Sequence, residues 1–318
     1  VYMFINLILL IIGFIILIKG ADIFVDGASA VAGNFKVSKM LIGLTIVAFG
    51  TSAPELAVSI KSLLSGSGDI VLGNVIGSNI LNILLILGIS SLFHSLSVKN
   101  NTVKKELPIT ILITTLFAVL LSDNLINHTK DNFTRGDGIT LILFFFVFIY
   151  YLISMARKKI DIDDKTEYMP LSKAFIFTVI GLISIILGSN LVVDHASNLA
   201  KLLGISEKLI ALTVIALGTS LPELVTSVMA TRKGEYDIAI GNVVGSNIFN
   251  IGIVTGIPVA ILGGISKVSF NQIDLFIMLL SVILLFVFSY KNQKITKREG
   301  IIFLILFVIY YSYVIYIG

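Results

Sequence analysis

Two glutamates stand in the middle of long apolar stretches, where a charged side chain is costly. Glu55 and Glu223 each end a GTSxPE motif. A charged carboxyl at the centre of a membrane helix costs at least about 2.5 kcal/mol, which makes a purely structural role for both a weak explanation. The neighbouring ligand atoms are all oxygens, with no histidine nearby and no cysteine in the chain. Oxygen ligands favour hard cations such as sodium, calcium or magnesium over zinc or copper.

A proline before each glutamate predicts a broken helix. Proline lacks an N–H and clashes with the carbonyl four residues earlier, so Pro54 frees the carbonyl of Gly50 and Pro222 frees that of Gly218. The first half of each helix then ends in exposed carbonyls, and the second half begins with proline and glutamate. Hydroxyl groups flank both breaks, on Thr51, Ser52, Thr219 and Ser220.

A polar stripe follows each glutamate motif in the next apolar stretch. Ser78 and Asn82 are four residues apart and therefore share a helix face, and Ser246 and Asn250 repeat this spacing. Hydrogen bonding between helices is an alternative explanation for the other asparagines of these stretches, Asn74, Asn79, Asn242 and Asn247. The glycines of both motifs fit close helix packing equally well.

The composition predicts an all-α integral membrane protein. Hydrophobic residues make up 56% of the 318 residues, charged residues 13%, and mean hydropathy is +1.02. Continuous apolar runs favour membrane helices, each of which needs about 20 residues, over alternating strands. Ten spans are predicted, at 3–19, 39–64, 70–93, 107–122, 138–156, 171–193, 207–231, 238–263, 272–290 and 300–317. We expect the first to be a helix rather than a removable signal, continued by segment 20–38.

The chain is an internal duplication with an offset of 168 residues. Between 43–60 and 211–228, ten of eighteen positions are identical, and GNVIGSNILN against GNVVGSNIFN gives eight of ten. This predicts a first five-helix repeat at 1–156, a charged linker at 157–170 and a second repeat at 171–318. An odd number of spans per repeat inverts the second repeat in the membrane, an arrangement typical of transporters with a site between the halves.

Lysine and arginine counts predict the orientation. Loops after odd-numbered spans carry seventeen of these residues and the other loops carry six. The positive-inside rule places the seventeen, and the linker, in the cytoplasm and both termini outside. Asp22, Asp26 and Asp194 lie near span ends, where we expect solvated positions, although the repetition of Asp26 as Asp194 hints at a shared capping or entrance role.

GLTIVAFGTSAPEL with GNVIGSNILN, and ALTVIALGTSLPEL with GNVVGSNIFN, resemble the two alpha repeats of the calcium/cation antiporter superfamily, most of all its prokaryotic sodium/calcium exchanger branch. The resemblance implies that Glu55 and Glu223 hold calcium with the carbonyls of Thr51 and Thr219. Asn82 and Asn250 would border the centre, where some relatives carry aspartate at the second position. It implies sodium ligands at the two glutamates, Ala48, Thr51, Ser52, Ser78, Ala216, Thr219, Ser220 and Ser246.

The function expected from this resemblance is exchange of sodium for calcium by alternating access, with three sodium ions per calcium and net charge movement. We expect a monomer in the cell membrane whose partners are the two ions and the lipid bilayer, without cofactor or nucleic acid. A proton/calcium antiporter, a potassium-dependent exchanger and a cation channel are the alternatives. An intramembrane enzyme is disfavoured because no nucleophile or further metal-ligand set accompanies the carboxylates.

Overall fold

The protein is a bundle of helices, seen here in a computed structural model that describes residues 2–122, 132–157, 168–205, 214, 216–265 and 272–317. Twelve helices are named: α1 Tyr2–Phe35, α2 Lys39–Thr51, α3 Ala53–Leu64, α4 Gly68–Phe93, α5 Leu107–Leu120, α6 Arg135–Ala156, α7 Leu171–Leu202, α8 Ala216–Thr219, α9 Leu221–Arg232, α10 Tyr236–Leu262, α11 Gln272–Asn292 and α12 Lys297–Ile317. Two short strands, β1 Leu96–Ser97 and β2 Lys294–Ile295, pair antiparallel.

Among these residues, seven helices are long and apolar enough to cross a membrane, and the bent pair α2–α3 would be an eighth. The chain is therefore a multi-pass helical membrane protein, as predicted, with seven to eight such helices where ten spans were expected. Helix α5 continues directly from a π-helical turn, Thr102–Glu106, which carries Lys104, Lys105 and Glu106. Its apolar part, Leu107–Leu120, is therefore only fourteen residues long and rises about 21 Å, against a hydrocarbon core of about 30 Å. The predicted seventh span, 207–231, begins outside the described residues.

The first helix of each half is longer than its predicted span. Helix α1 runs on to Phe35 as a single helix, so the expected continuation through 20–38 is confirmed up to that residue. Its length corrects one assignment: Lys19 lies well inside α1 and not in a loop. Helix α7 extends from Leu171 to Leu202, nine residues past the predicted end at 193.

Helices α1 and α7 pack closely and antiparallel along glycines. A Cβ on Gly20 would lie 2.7 Å from the Cβ of Ser184, and a Cβ on Gly188 would lie 2.6 Å from the backbone nitrogen of Leu17. Neither contact leaves room for a side chain, which is the usual reason for small residues at membrane helix interfaces. The two helices therefore form one unit that we call the α1–α7 pair.

Helices α4 and α10 form the centre of the molecule. In their most apolar windows 72% and 78% of residues are buried, against 17% to 33% for α1, α6, α7, α11 and α12. Each contains a π-helical turn, Asn82–Leu87 in α4 and Asn250–Thr255 in α10. The two turns are related by the offset of 168 residues and begin at the predicted central asparagines. Such turns occur often at functional sites.

Loops that follow odd-numbered spans contact one another, and so do loops that follow even-numbered spans. Strand β1 follows the third predicted span and β2 the ninth, and the two strands pair. At another place Phe133, after the fourth span, bridges to Ile265, after the eighth. Odd-numbered loops thus meet odd-numbered loops and even-numbered meet even-numbered, which is the pattern that alternating crossings of a membrane produce.

Candidate functional site

Both glutamate motifs interrupt a helix at the serine that lies three residues before the glutamate. Ser52, between α2 and α3, has φ −83° and ψ 6°, and Ser220, between α8 and α9, has φ −90° and ψ 5°. Helices α2 and α3 meet at a bend of 44°. Pro54 and Pro222 then occupy the first turn of α3 and α9, where a missing N–H costs nothing. Each glutamate therefore projects from the first turn of a half-helix.

The glycines beside the two breaks lie against the α1–α7 pair. A Cβ on Gly50 would lie 2.9 Å from Leu182, and one on Gly218 would lie 2.3 Å from Val193, both in α7. The carbonyl oxygen of Gly218 accepts a hydrogen bond of 3.1 Å from the Ser189 hydroxyl, also in α7. The carbonyl that Pro222 was expected to free thus meets a side chain of the neighbouring helix. Sequence reasoning missed Ser189, which no motif marks.

The two carboxylates are buried and linked across the repeats. Glu55 is 0% exposed and Glu223 is 1% exposed. The Ser52 hydroxyl donates to Glu223 Oε1 at 2.9 Å, and the Ser220 hydroxyl approaches Glu55 Oε1 at 3.5 Å. Each serine therefore serves the glutamate of the other repeat, so the site exists only where the two halves meet.

Several buried oxygens at this interface have no protein partner. On the described residues, the second carboxylate oxygens Oε2 of Glu55 and Glu223 accept no hydrogen bond. The same holds for Oδ1 of Asn82 and Asn250 and for the Ser246 hydroxyl. Buried acceptors without partners are costly unless something satisfies them. A desolvated cation bound among these oxygens would do so.

Asparagines hold the glutamate backbones in place. Asn242 Nδ2 donates to the Glu223 carbonyl at 3.3 Å, and Asn74 Nδ2 donates to the Glu55 carbonyl at 3.4 Å, at positions related by the repeat. Asn242 also accepts from the Thr51 hydroxyl at 3.1 Å. Asn74 and Asn242 therefore link neighbouring helices by hydrogen bonds, as the alternative explanation for these residues expected.

The remaining predicted ligands lie around the carboxylates. Ala48 is buried near the end of α2, and Ser78 lies in α4 where its hydroxyl accepts from Ser220 at 3.3 Å. Ala216 begins α8, and Thr219 ends it half-buried. The structure thus gathers helices α2, α4, α8 and α10 of both repeats around one position.

A charged cluster away from the site was also missed. Asp22 and Asp26, expected to be solvated, both pair with Lys233, at 2.7 and 2.6 Å. Their spacing of four residues on one helix face was the available signal. Lys233 is 211 residues away in the sequence from Asp22, so only the fold could supply the partner.

Comparison with known proteins gives the family. The model of the family described as sodium/calcium exchanger protein matches residues 5–154 and 173–316. The chain belongs to this family. It is 30% identical to sodium/calcium exchanger MaX1 of Methanosarcina acetivorans over 98% of this chain and 99% of that one. Inner membrane protein YrbG of Escherichia coli strain K12 is 37% identical over 86% of each chain.

A solved structure of the sodium-calcium exchanger NCX_Mj, soaked with Na⁺ and Sr²⁺, matches with a TM-score of 0.84 and 31% identity. The match covers 96% of this chain and 98% of that one. The predicted family is therefore confirmed, together with the all-helical membrane fold. Members of a family of exchangers are transporters and not enzymes, and the chain is a multi-pass protein of the cell membrane.

Proposed function

We propose that this chain exchanges sodium for calcium across the membrane, through a site built on Glu55 and Glu223. The observation that carries the proposal is the pair of buried carboxylates from two inverted motifs, each with one oxygen bonded across the repeat and one without a partner. Membership of the sodium/calcium exchanger family and likeness to NCX_Mj support the choice of ions.

Charge balance explains why this site suits calcium. Two carboxylates neutralise one divalent cation, and in a low-dielectric interior an uncompensated charge is strongly disfavoured. In the proposal, Glu55 and Glu223 bind calcium with the carbonyl oxygens of Thr51 and Thr219. All of these are hard oxygen ligands of the kind that calcium prefers.

In the sodium-loaded state, three sodium ions occupy the region that holds one calcium ion. Their ligands are the two glutamates and oxygens from α2, α4, α8 and α10, namely those of Ala48, Thr51, Ser52, Ser78, Ala216, Thr219, Ser220 and Ser246. Three sodium ions on two carboxylates leave one positive charge, which the neutral oxygens of Asn82 and Asn250 solvate. One charge then crosses per cycle, and because both central residues are neutral the exchange needs no potassium.

Alternating access follows from the inverted halves. The α1–α7 pair lies against both helix breaks, through Leu182 and Val193, and slides across the remaining helices to expose the site to one side at a time. Ten spans, a cytoplasmic linker and external termini complete the proposed topology, which the pairing of loops by parity supports. The working unit is a monomer, since each chain holds both halves of the site.

The test is uptake of radioactive calcium into proteoliposomes with and without an imposed sodium gradient. We expect uptake only when sodium is higher inside than outside. Uptake driven by a proton gradient without sodium would instead favour the proton/calcium antiporter. Uptake that runs down the calcium gradient without any counter-ion would indicate a channel.

A further inference from the structure

Four buried asparagines form a closed hydrogen-bonded group between α4 and α10. Asn247 Nδ2 donates to the Asn79 carbonyl and Asn79 Nδ2 donates to the Asn247 carbonyl, both at 3.4 Å. Asn82 Nδ2 donates to Asn247 Oδ1 at 2.9 Å, and Asn250 Nδ2 donates to Asn79 Oδ1 at 3.3 Å. Residues 79 and 247, like 82 and 250, are related by the repeat.

These bonds fix which end of each amide faces the centre. A backbone carbonyl can only accept, so it takes the NH₂ group of Asn247 and turns that residue's oxygen toward Asn82. Asn82 must then offer its own NH₂ group, which leaves its Oδ1 free. In the same way, the Asn247 carbonyl takes the NH₂ group of Asn79, the oxygen of Asn79 accepts from Asn250, and the Oδ1 of Asn250 is left free. Both free oxygens are the buried acceptors without a protein partner noted above.

We propose that Asn79 and Asn247 are positioning residues that hold the amides of Asn250 and Asn82 with their oxygens toward the ions. Without them either amide can rotate and present hydrogen-bond donors to a cation. This inference rests on the proposed function. We expect the loss of this positioning to weaken sodium binding more than calcium binding, because the third sodium ion is balanced only by neutral oxygens.

The test compares Asn79→Ala with Asn79→Ala/Asn250→Asp in sodium-driven calcium uptake. The single variant should raise the KM for sodium about tenfold, equivalent to about 1.4 kcal/mol, with the KM for calcium changed less than threefold. A carboxylate presents oxygen whichever way it rotates, so the double variant should have the same KM for sodium as Asn250→Asp alone, which carries the same added charge. Thr110→Ala, which removes a buried hydroxyl bonded within its own helix, is the matched control and should leave both values unchanged.

Unchanged sodium KM in the single variant, with calcium uptake intact, would overturn the positioning role while leaving the proposed function standing. A double variant whose KM for sodium is well above that of Asn250→Asp alone would show that Asn79 acts through packing alone, and would overturn the positioning role too. If the variant unfolds, Asn79→Leu is used instead. It keeps a side chain of similar size but removes the acceptor for Asn250, and should raise the KM for sodium about as much as the alanine variant.

A separate observation concerns the face of the molecule that bears Tyr168 and the turn between α9 and α10, which we call the linker face. There Lys233 Nζ bonds to Asp22 and Asp26 of α1 and to the Asp22 carbonyl at 2.8 Å. The Ser29 hydroxyl of α1 donates to Glu235 Oε1 at 2.9 Å. These bonds tie the α1–α7 pair to the rest of the bundle.

The opposite face carries no lysine at the position that the repeat relates to Lys233. The offset of 168 residues relates Asp26 to Asp194 and Asp22 to Asn190. It relates Lys233 to Ser65 and Glu235 to Ser67, neither of which can form an ion pair. In a carrier made of inverted repeats the two end states differ in energy only through such differences between the repeats.

We propose that Lys233 with Asp22 and Asp26 is a one-sided latch that stabilises the state in which the linker face is closed. The three side chains are 23%, 40% and 47% exposed, so their pairing is screened by solvent. Partly exposed ion pairs of this kind change an equilibrium constant only a few-fold. For this network we expect the ratio of closed to open linker face to change about fivefold. The latch rests on the proposed motion of the α1–α7 pair and not on the identity of the ions.

Spin labels measure the two states directly, and the absence of cysteine gives a clean background. Labels at Lys36→Cys, beside α1, and Arg157→Cys, at the end of α6, both occupy exposed positions on the described residues. Lys233→Gln should reduce the population at the closed distance about fivefold in ion-free buffer. Lys99→Gln removes the Lys99–Asp237 pair, which does not involve α1, and should change nothing.

Two further variants test the direction of the effect. Asp26→Lys/Lys233→Glu reverses the pair and should restore the native population. Ser65→Lys/Asn190→Asp introduces the latch residues at the repeat-related positions of the other face, which are exposed here and where Asp194 already matches Asp26. It should shift the population the other way. Equal distance distributions in the native protein and Lys233→Gln would overturn the latch, whatever the flux measurements show.

Discussion

Replacing Glu223 by glutamine changes one atom of the candidate site in a defined way. Glutamine keeps an oxygen that can accept from the Ser52 hydroxyl, as Oε1 does at 2.9 Å. The amide nitrogen then takes the place of Oε2, the buried oxygen without a protein partner. The backbone bond from Asn242 to the residue 223 carbonyl is untouched. The variant should therefore fold normally and present a hydrogen-bond donor to the cation.

The expected loss is large because calcium would be left with one carboxylate. Breaking a buried charge pair by removing one partner costs about 3–5 kcal/mol. At about 1.4 kcal/mol per factor of ten, calcium affinity should fall at least a hundredfold. Glu55→Gln should behave in the same way because the site is symmetric.

The assay is sodium-driven uptake of radioactive calcium over a range of calcium concentrations, together with thermal unfolding of the purified variant. Glu299→Gln is the control, since Glu299 lies in the first turn of α12, outside the site, and accepts a hydrogen bond from the Thr296 amide. It should leave the calcium KM unchanged. A Glu223→Gln protein with a native unfolding temperature and a calcium KM within threefold of native would refute the assignment of the site.

Three other outcomes are expected. Clamping the membrane potential with an ionophore in potassium-free buffer should change the rate of exchange, because moving one charge across the membrane is worth about 2.3 kcal/mol per 100 mV. A rate of exchange that does not depend on voltage would instead indicate two sodium ions per calcium. Gly218→Ala should destabilise the protein by about 1–3 kcal/mol because its Cβ would lie 2.3 Å from Val193, whereas Gly136→Ala, whose Cβ has room, should lower the unfolding temperature much less. A cross-link between cysteines at Ser29 and Glu235, whose side chains are bonded at 2.9 Å, should stop exchange and preserve calcium binding, and continued flux after complete cross-linking would contradict the sliding of α1.

The candidate site was accessible from the sequence because its signals are local and repeated. A buried carboxylate in an apolar span is conspicuous, and the proline before Glu55 and Glu223 determines where the helix must break. The duplication then predicts that the two motifs meet between the halves, and the Ser52 hydroxyl indeed bonds to Glu223 across the repeat. The family followed from the same residues.

Other features could not be obtained in this way. The continuation of α1 to Phe35 was expected, but the ion pairs of Asp22 and Asp26 were not, because their partner Lys233 lies 211 residues from Asp22 in the sequence. The roles of Asn79 and Asn247 were ambiguous for a similar reason. An amide can be a ligand or a link between helices, and only its neighbours decide which.

The sequence by itself determined the membrane class, the duplication, the two carboxylates and the breaks beside them, since each depends on hydropathy, proline geometry or spacing along one segment. Only the tertiary structure decided which serine bonds to which glutamate, that Ser189 caps the Gly218 carbonyl, and that Lys233 pairs with Asp26 of α1. The physical reason is that these are contacts between residues 29 to 211 positions apart. Pairing at such separations is set by how whole helices pack, and no local pattern records it.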